Sequence, residues 1–214
     1  MKTSKNAIIF DLDGTLWDAA DTISLAWNEC CKALGIARSF TPDLCRSYCG
    51  KTLQQIASIV FPGNDRAWAE DVIRACCAAE CAPLERCGGK LYPQELEILD
   101  ELHSKYFLAV VSNCQNGYVE SFFTGNNTGI LFDDFENAER TGLSKGENIR
   151  LVMTRNGIER AVYIGDTEYD EEAARQACVP FIHAAYGFGN AKASDAVIEA
   201  FSEIPTKVHR FLIK

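Results

Sequence analysis

Short, continuous apolar runs alternate with helical patterns along most of this chain. Four of the runs have the length of buried strands and lie at 7–10, 107–111, 161–164 and 180–183. Between and after them, apolar residues recur at three- and four-residue steps, which predicts helices around 96–102 and at 118–123, 148–156, 171–178 and 208–213. The stretch 130–139 is ambiguous, with room for a short strand. Strands that are apolar on both faces and separated by helices predict an α/β fold, a doubly wound parallel sheet covered on both sides.

The segment 18–87 differs from the rest of the chain because it carries only helical patterns. Four helices are predicted there: one ends near Gly35, one begins after Thr41–Pro42, and the others span about 52–60 and 65–81. About 70 residues without a strand are too many for a simple connection. We therefore expect a helical domain of residues 18–87, inserted into a core formed by 1–17 and 88–214.

Two acids, Asp11 and Asp13, directly follow the first predicted strand. Side chains alternate along a strand, so two acids at this spacing can face the same way. Their proximity does not help folding, because like charges repel and their burial costs several kcal/mol unless a cation compensates. The pair therefore suggests a site in which one carboxylate attacks, another moves a proton and a metal holds both.

Polar residues also end two of the other predicted strands. Ser112 and Asn113 follow the second strand, and Asp166 and Asp170 follow the third. Functional groups of a parallel sheet gather beyond the carboxyl ends of its strands. We therefore expect all of these side chains in one crevice, which Lys145, just before a predicted helix, could also reach.

These residues match, in order, the motifs of the haloacid dehalogenase-like superfamily, which the chain resembles over nearly its whole length. The motifs are 11–18 (DLDGTLWD), the hydroxyl of Ser112, the single Lys145 and 165–170 (GDTEYD). The helical insertion resembles the α-helical cap of that superfamily. Most members are magnesium-dependent phosphotransferases that act through an aspartyl-phosphate. The presence of Asp13 favours phosphate chemistry, since the dehalogenases of the superfamily lack this second acid.

The resemblance implies a role for each motif residue. Asp11 would be the nucleophile and Asp13 the general acid and base, with a raised pKa. Mg²⁺ would be held by Asp11, Asp166 and the Asp13 carbonyl, with support from Asp170. The phosphoryl oxygens would be held by Ser112, the Asn113 amide and Lys145, and Thr15 would orient the first loop.

The resemblance is closest to the phosphoglycolate phosphatase-like group, through 91–93, 110–113 and 186–189. Gly146 follows the lysine where that group commonly has proline, which weakens the transfer of its substrate. In the cap, residues 46–51 resemble a loop that reaches the substrate, so Arg46, Gly50 and Lys51 are candidate substrate contacts. Solvated charges at helix ends are the alternative for Arg46 and Lys51.

Several alternatives share this chemistry. A phosphosugar mutase or an inorganic pyrophosphatase could use the same scaffold. A receiver-like signalling domain also has acids, a hydroxyl and a lysine on such a sheet, but its lysine should follow the last of these strands and it has no cap. Lys145 precedes Asp166 in this chain. A non-catalytic binding protein would not need the full set of acids.

Composition limits the partners. The 214 residues are 47% hydrophobic and 24% charged, enough for one full core and a smaller accessory domain. The net charge of −9 and the absence of a Lys/Arg run argue against nucleic acid and anionic membranes. No apolar run approaches the ~18 residues of a membrane span, and the one after the basic segment 1–6 is too short for a secretion signal. We expect a cytoplasmic monomer or homodimer whose partner is a small phosphorylated metabolite.

Ten cysteines allow a metal or disulfide framework, and eight of them lie between Cys30 and Cys87. However, the chain has no CxxC spacing and no histidine near this cluster. Cysteine in a cytosolic chain of this size commonly packs as a small buried hydrophobe. We expect that role here.

Overall fold

The computed structural model describes residues 6–212. Residues 1–5, which form most of the basic N-terminal segment, and Ile213 of the predicted last helix lie outside this range. The described strands are β1 Asn6–Phe10, β2 Trp17–Asp18, β3 Lys90–Leu91, β4 Phe107–Ser112, β5 Asp134–Asn137, β6 Arg160–Gly165, β7 Phe181–Ala184 and β8 Ala196–Ile198. The described α-helices are α1 Ala20–Ala33, α2 Pro42–Arg46, α3 Leu53–Val60, α4 Arg66–Cys87, α5 Glu95–His103, α6 Tyr118–Asn126, α7 Ala138–Thr141, α8 Lys145–Arg155, α9 Glu168–Ala177 and α10 Ile204–Leu212.

Six strands form one parallel sheet in the order β5-β4-β1-β6-β7-β8. β1 lies at its centre, with Ile8 opposite Leu108 on one side and Val162 on the other. Successive residues of β1 enter opposite cores: Ile8 packs in the larger apolar cluster and Ile9 in the smaller. Both faces of the sheet are therefore covered, and the predicted doubly wound α/β fold with its parallel sheet is confirmed.

The sheet order decides where the site forms. β4, β1 and β6 are neighbours, so their carboxyl ends lie side by side. From β1 the chain continues to β4 and β5 on one side of the sheet and then crosses to β6, β7 and β8 on the other. The strand order therefore switches between β1 and β6, where a crevice opens beyond the carboxyl ends of the strands.

The helices α1 to α4 occupy the segment expected to form the cap. α1 packs on α4, and α4 packs on α6 of the core. Trp17 and Asp18 of β2 pair antiparallel with Leu91 and Lys90 of β3, so a two-stranded ribbon joins the two ends of the helical segment to the core. The sequence pattern had no signal for this ribbon, because each strand has only two residues.

α4 continues six residues beyond the expected end at Cys81 and includes Pro83. Packing outweighs the local cost of this proline. Leu84 is fully buried, and α6 approaches so closely that a Cβ on Gly125 would lie 2.1 Å from the Leu84 carbonyl oxygen. The helix therefore ends only at Gly88, whose positive φ of 66° suits glycine.

Other helices begin earlier than the apolar periodicity indicates. α8 starts at Lys145 rather than 148, because Ser144 and Glu147 form a capping box. α9 starts at Glu168 rather than 171, behind a capping box of Thr167 and Asp170. These two caps fix Lys145 and Asp170 at the first turns of helices that face the crevice.

Four of the ten cysteines take the expected role of a small buried hydrophobe, and Cys87 and Cys178 are exposed. All ten are free, and Cys31, Cys45, Cys76 and Cys77 are buried. The Sγ atoms of Cys31 and Cys76 are 3.9 Å apart between α1 and α4, and burial raises the pKa of both thiols. Among residues 6–212, the cluster of side chains suited to a metal ion contains only acids.

Membrane insertion of a helix has no support in this part of the chain. None of the described helices is both long enough and apolar enough to cross a bilayer.

A buried acid in α5, outside the sequence motifs of the crevice, makes stability depend on pH. Glu95 is 2% exposed, accepts a hydrogen bond from the Tyr92 amide at 3.0 Å, and has a pKa that burial raises to about 8. An acid with a raised folded-state pKa stabilises the fold at low pH and loses that contribution as pH rises. Wild type should therefore lose stability relative to Glu95→Gln between about pH 4.5 and 8, by at most about 1.4 kcal/mol per pH unit.

Urea unfolding of both proteins across this pH range measures the difference. Glu97→Gln is the matched control, because Glu97 is an exposed acid in the first turn of the same helix. A difference between wild type and Glu95→Gln that does not change with pH would contradict the prediction.

Candidate active site

The first motif loop leaves β1 and turns back within a few residues. The Asp11 amide donates to the Ile164 carbonyl at 2.8 Å, which extends the pairing of β1 with β6 by one residue. Gly14 has a φ of 79°, and a Cβ there would lie 2.3 Å from Oδ2 of Asp166. Only glycine allows this approach, so the turn brings the first and last motifs into contact.

Lys145 connects two of the predicted acids. Its Nζ lies 2.8 Å from Oδ1 of Asp11 and 2.8 Å from Oδ1 of Asp170, and all three side chains are buried. Burial alone lowers the pKa of Lys145, but the charges of Asp11 and Asp170 and the bonds to them together raise it. The lysine is therefore a fixed positive charge beneath the crevice.

Asp170 is held by two further groups. Its Oδ2 accepts from the Thr167 amide at 2.9 Å and from the Thr167 hydroxyl at 2.6 Å. The Tyr163 hydroxyl lies 3.3 Å from its Oδ1 and donates to the Val111 carbonyl at 2.9 Å. These partners hold the carboxylate in one orientation.

Asp166 has one satisfied and one orphaned oxygen. Its Oδ2 accepts from the amides of Phe188 and Gly189 at 2.7 and 3.1 Å. Its Oδ1 is buried and has no hydrogen-bond partner among the described residues. A buried acceptor without a partner costs about 1–3 kcal/mol, so this oxygen needs a ligand.

Three acids converge at this point. One carboxylate oxygen from each of Asp11, Asp166 and Asp170 lies within 4.8 Å of the other two. Burial first, and then the neighbouring acids, raise the pKa of Asp11 to about 7 and that of Asp166 well above its usual range. A cluster of hard oxygen donors that repel one another, with an orphaned acceptor among them, fits a divalent cation.

Asp13 lies in a different environment from Asp11. Its Oδ1 accepts from the Trp17 indole at 2.9 Å and from the Tyr118 hydroxyl at 2.7 Å. Burial raises the pKa of Asp13 to about 6, and these two bonds oppose the increase. Asp13 can therefore exist in both protonation states near neutral pH, as a proton donor and acceptor requires.

Trp17 and Tyr118 are functional neighbours that sequence reasoning did not assign. Trp17 is fully buried in edge contact with Tyr118 and Phe122. Its indole nitrogen nevertheless bonds Asp13. Tyr118 is 105 residues from Asp13 in the chain, and no motif signals their contact.

The expected phosphate-binding residues lie on the same side of the sheet. Ser112 ends β4, is nearly buried and lines the cavity above the acids, as Asn113 does. The side-chain amide of Asn113 donates to the Gly50 carbonyl at 2.9 Å. Thr15 is buried within the first loop, and the Tyr186 hydroxyl donates to its carbonyl at 2.9 Å.

The three cap candidates have different surroundings. Arg46 binds Asp18 at 2.9 Å and Asp43 at 2.6 Å, with its guanidinium 5.8 Å from the Phe188 ring, so its donors already have acceptors. Gly50 docks on the core, and a Cβ there would lie 2.9 Å from the Thr167 hydroxyl oxygen.

Lys51 lines the cavity between cap and core. Its Nζ donates to the Ser47 carbonyl at 2.8 Å and lies 5.5 Å from the Tyr169 ring. The structure therefore brings Gly50 and Lys51 to the crevice. Arg46 instead forms ion pairs with Asp18 and Asp43.

A cavity of about 350 Å³ lies between the helices α1 to α4 and the crevice. Its walls include Asp13, Ser112 and Asn113 from the core and Lys51 from the cap loop. Sequence reasoning missed other polar residues of the lining, which include Tyr48, Arg74, Glu80, Gln115, Tyr118 and Glu139. The cavity has the size of a small-molecule site, and Asp13 of the acid pair lines it.

Comparisons with known proteins agree with this geometry. The family described as haloacid dehalogenase-like hydrolase matches residues 8–184. A phosphoglycolate phosphatase of Aquifex aeolicus is 30% identical over 186 residues, which are 85% of this chain and 85% of that protein. A phosphoglycolate phosphatase of Synechococcus elongatus is 27% identical to this chain, over 86% of this chain and 85% of that protein.

A solved haloacid dehalogenase-like hydrolase of Streptococcus pneumoniae has a TM-score of 0.80 and 23% identity, over 94% of this chain and 97% of its own. The fold and the enzyme class, a hydrolase whose named relatives are phosphatases, therefore match the expectations from the motifs. The chain belongs to the haloacid dehalogenase-like hydrolases.

Proposed function

We propose that this protein is a magnesium-dependent phosphatase that hydrolyses small phosphorylated metabolites through an aspartyl-phosphate intermediate. The observation that carries the proposal is the pair of differently held acids: Asp11 beside Lys145 and the acid cluster, and Asp13 facing the cavity. The names of the curated relatives, all phosphoglycolate phosphatases, support the reaction class.

Asp11 is the proposed nucleophile. One of its oxygens is bound to Lys145 at 2.8 Å, which favours the charged, attacking form of the carboxylate. Attack on phosphorus forms the bond from the carboxylate oxygen and breaks the bond to the ester oxygen of the leaving group. Water then attacks the phosphorus of the aspartyl-phosphate, which releases inorganic phosphate and restores Asp11.

Asp13 is the proposed general acid and base. It donates a proton to the departing ester oxygen and then accepts one from the attacking water. Its pKa of about 6 allows both roles near neutral pH. Ser112, the Asn113 amide and Lys145 are proposed to hold the phosphoryl oxygens.

Asp11, Asp166 and Asp170, with the Asp13 carbonyl, would hold the Mg²⁺ ion. When bound, the ion would neutralise charge on the phosphoryl group and on the clustered acids. The orphaned Oδ1 of Asp166 supports this assignment.

Metal-stripped protein provides the test. Release of inorganic phosphate from p-nitrophenyl phosphate and phosphoglycolate should rise at least about 100-fold when Mg²⁺ is restored. The melting temperature should also rise with Mg²⁺ concentration, because a ligand of the folded state stabilises it. Phosphate release that is independent of metal would contradict the proposal, and a rearranged hexose phosphate without free phosphate would indicate a mutase.

Tyr118→Phe tests the role of Asp13. The lost hydrogen bond favours the charged form of Asp13, so its removal raises the pKa of Asp13. We expect the alkaline limb of the plot of kcat against pH to move to higher pH by up to about one unit. Maximal kcat should fall about tenfold, because a hydrogen bond to a charged group is worth about 1.5–3 kcal/mol. A pH profile that coincides with that of wild type would exclude this role.

A further inference from the structure

One wall of the cavity carries the carboxyl group of Glu80 and the side-chain amide of Gln115. Glu80 of α4 is 3% exposed and lines the cavity. Its Oε1 accepts from the Gln115 amide at 2.7 Å, and its Oε2 accepts from the Trp27 indole. These bonds hold the carboxyl group of Glu80 across the boundary between cap and core.

Gln115 contributes a second acceptor to the same wall. Its Nε2 donates to the Cys77 carbonyl at 3.1 Å as well as to Glu80, so both amide hydrogens are used. The polar atom left for a ligand is its carbonyl oxygen. Asp13 adds another acidic group to the lining.

The two cations of the lining already have partners. Arg74 is half-exposed and forms an ion pair with Glu139 at 2.7 Å. Lys51 donates to the Ser47 carbonyl and lies over Tyr169. Neither is bonded to Glu80, so a carboxylate placed beside Glu80 would be desolvated without a dedicated cation, which costs several kcal/mol.

The volume of the cavity also argues against a small leaving group that carries a carboxylate. About 350 Å³ is within the range of ordinary ligand pockets. It is far more space than the two-carbon glycolate group needs. Apolar and thiol side chains cover much of the remaining wall, namely Ile23, Trp27, Cys45, Cys77 and Cys114.

We propose that Glu80 and Gln115 are specificity-determining residues that bind hydroxyl groups of the leaving group, so that this enzyme prefers phosphate monoesters of neutral polyols or sugars to phosphoglycolate. The inference rests on the proposed phosphatase activity and narrows its substrate class. A hydroxyl can donate to the Gln115 carbonyl oxygen and can pair with Glu80, whereas a carboxylate only accepts and would leave the Gln115 carbonyl oxygen without a donor.

The protonation state of Glu80 favours a neutral hydroxyl over an ammonium group. Burial raises the pKa of Glu80 to about 8, although the bonds from Gln115 and Trp27 oppose this. At neutral pH the group is therefore mostly uncharged and gives an ammonium ion no counter-charge. A hydroxyl can both donate to and accept from a neutral carboxyl group.

The first test uses wild-type enzyme with Mg²⁺ and four esters: glycerol 3-phosphate, ribose 5-phosphate, phosphoglycolate and p-nitrophenyl phosphate. We expect kcat/KM for at least one of the two polyol or sugar esters to exceed that for phosphoglycolate at least tenfold. An equal or higher kcat/KM for phosphoglycolate, with p-nitrophenyl phosphate hydrolysed, would overturn the inference alone. No magnesium-dependent release from any ester would overturn the proposed function and the inference with it.

The second test changes the wall itself. Glu80→Leu should lower the ratio of kcat/KM for the preferred hydroxylated ester to that for p-nitrophenyl phosphate at least tenfold, because the latter leaving group has no further hydroxyl to bind. Gln115→Leu should lower the same ratio in the same direction, which keeps the test decisive should Glu80→Leu fail to fold. Glu85→Gln, a change of an exposed acid on the same helix, should leave the ratio unchanged.

Lys51→Gln distinguishes the competing arrangement. If the leaving group carried a carboxylate bound by Lys51, this variant would lower kcat/KM for phosphoglycolate more than for ribose 5-phosphate, and the wild-type order would favour phosphoglycolate. That combination would overturn the inference. An unchanged preference for the hydroxylated ester in Lys51→Gln supports it.

Discussion

Asp11→Asn should lower kcat for phosphate release at least about 1,000-fold, because an amide cannot attack phosphorus to form the acyl phosphate. Asparagine has the shape of aspartate, and its carbonyl oxygen can still accept from Lys145. The fold should therefore be retained. The substitution also removes a buried acid, and burial raises the pKa of Asp11 to about 7. Without metal, the variant should therefore be no less stable than wild type at pH 8.

Steady-state phosphate release and thermal unfolding measure these two effects. Intact mass after an acid quench should detect phosphorylated protein in wild type during turnover and none in the variant. Asp21→Asn, which changes an exposed acid of α1, is the matched control and should keep wild-type kcat. Release that survives in Asp11→Asn would exclude Asp11 as the nucleophile.

Lys145→Met should have the largest combined effect on stability and activity. The lysine is 4% exposed and pairs with both Asp11 and Asp170. Its removal leaves buried acids without compensation, which typically costs 3–5 kcal/mol. We expect a loss of about that size in the free energy of unfolding at neutral pH, and a fall in kcat of about 100- to 1,000-fold.

Urea unfolding without added metal gives the stability difference, because a bound cation would compensate part of the lost charge. Lys105→Met serves as the control. Lys105 is an exposed lysine paired with Glu101 at 2.7 Å, and solvent screens such a surface pair, so its loss should leave stability close to that of wild type. Wild-type stability and kcat in Lys145→Met would show that the buried acids do not depend on this lysine.

The motif residues could be predicted because their positions follow from the sheet. Asp11, Ser112 and Asp166 each come at the end of a continuous apolar strand. Parallel neighbours bring their carboxyl ends to one edge, so local patterns were enough to collect these side chains. Lys145 and Asp170 could be assigned because their order in the chain matches that of the motifs. The capping boxes beside them are present in the sequence, but the predicted helix starts relied on apolar periodicity alone and were placed three residues too late.

Contacts between distant segments could not be predicted. The bond from Tyr118 to Asp13, the contact of Gln115 with Glu80 and the docking of Gly50 on Thr167 each join separate elements. No periodicity or motif encodes such pairs. Arg46 is a further example, since its predicted role as a substrate contact stays a prediction and no motif signalled its ion pair with Asp18.

The sequence by itself determined the order of most strands and helices, the family and the set of acids that meet in one crevice. These depend on local hydrophobic periodicity and on residue types at strand ends, both of which are properties of short segments. Only the tertiary structure decided which oxygens are bound and which are free, how far each pKa moves, and what faces the leaving group. Burial and long-range contacts set these properties, because desolvation and charge pairing depend on neighbours that lie far away in the chain.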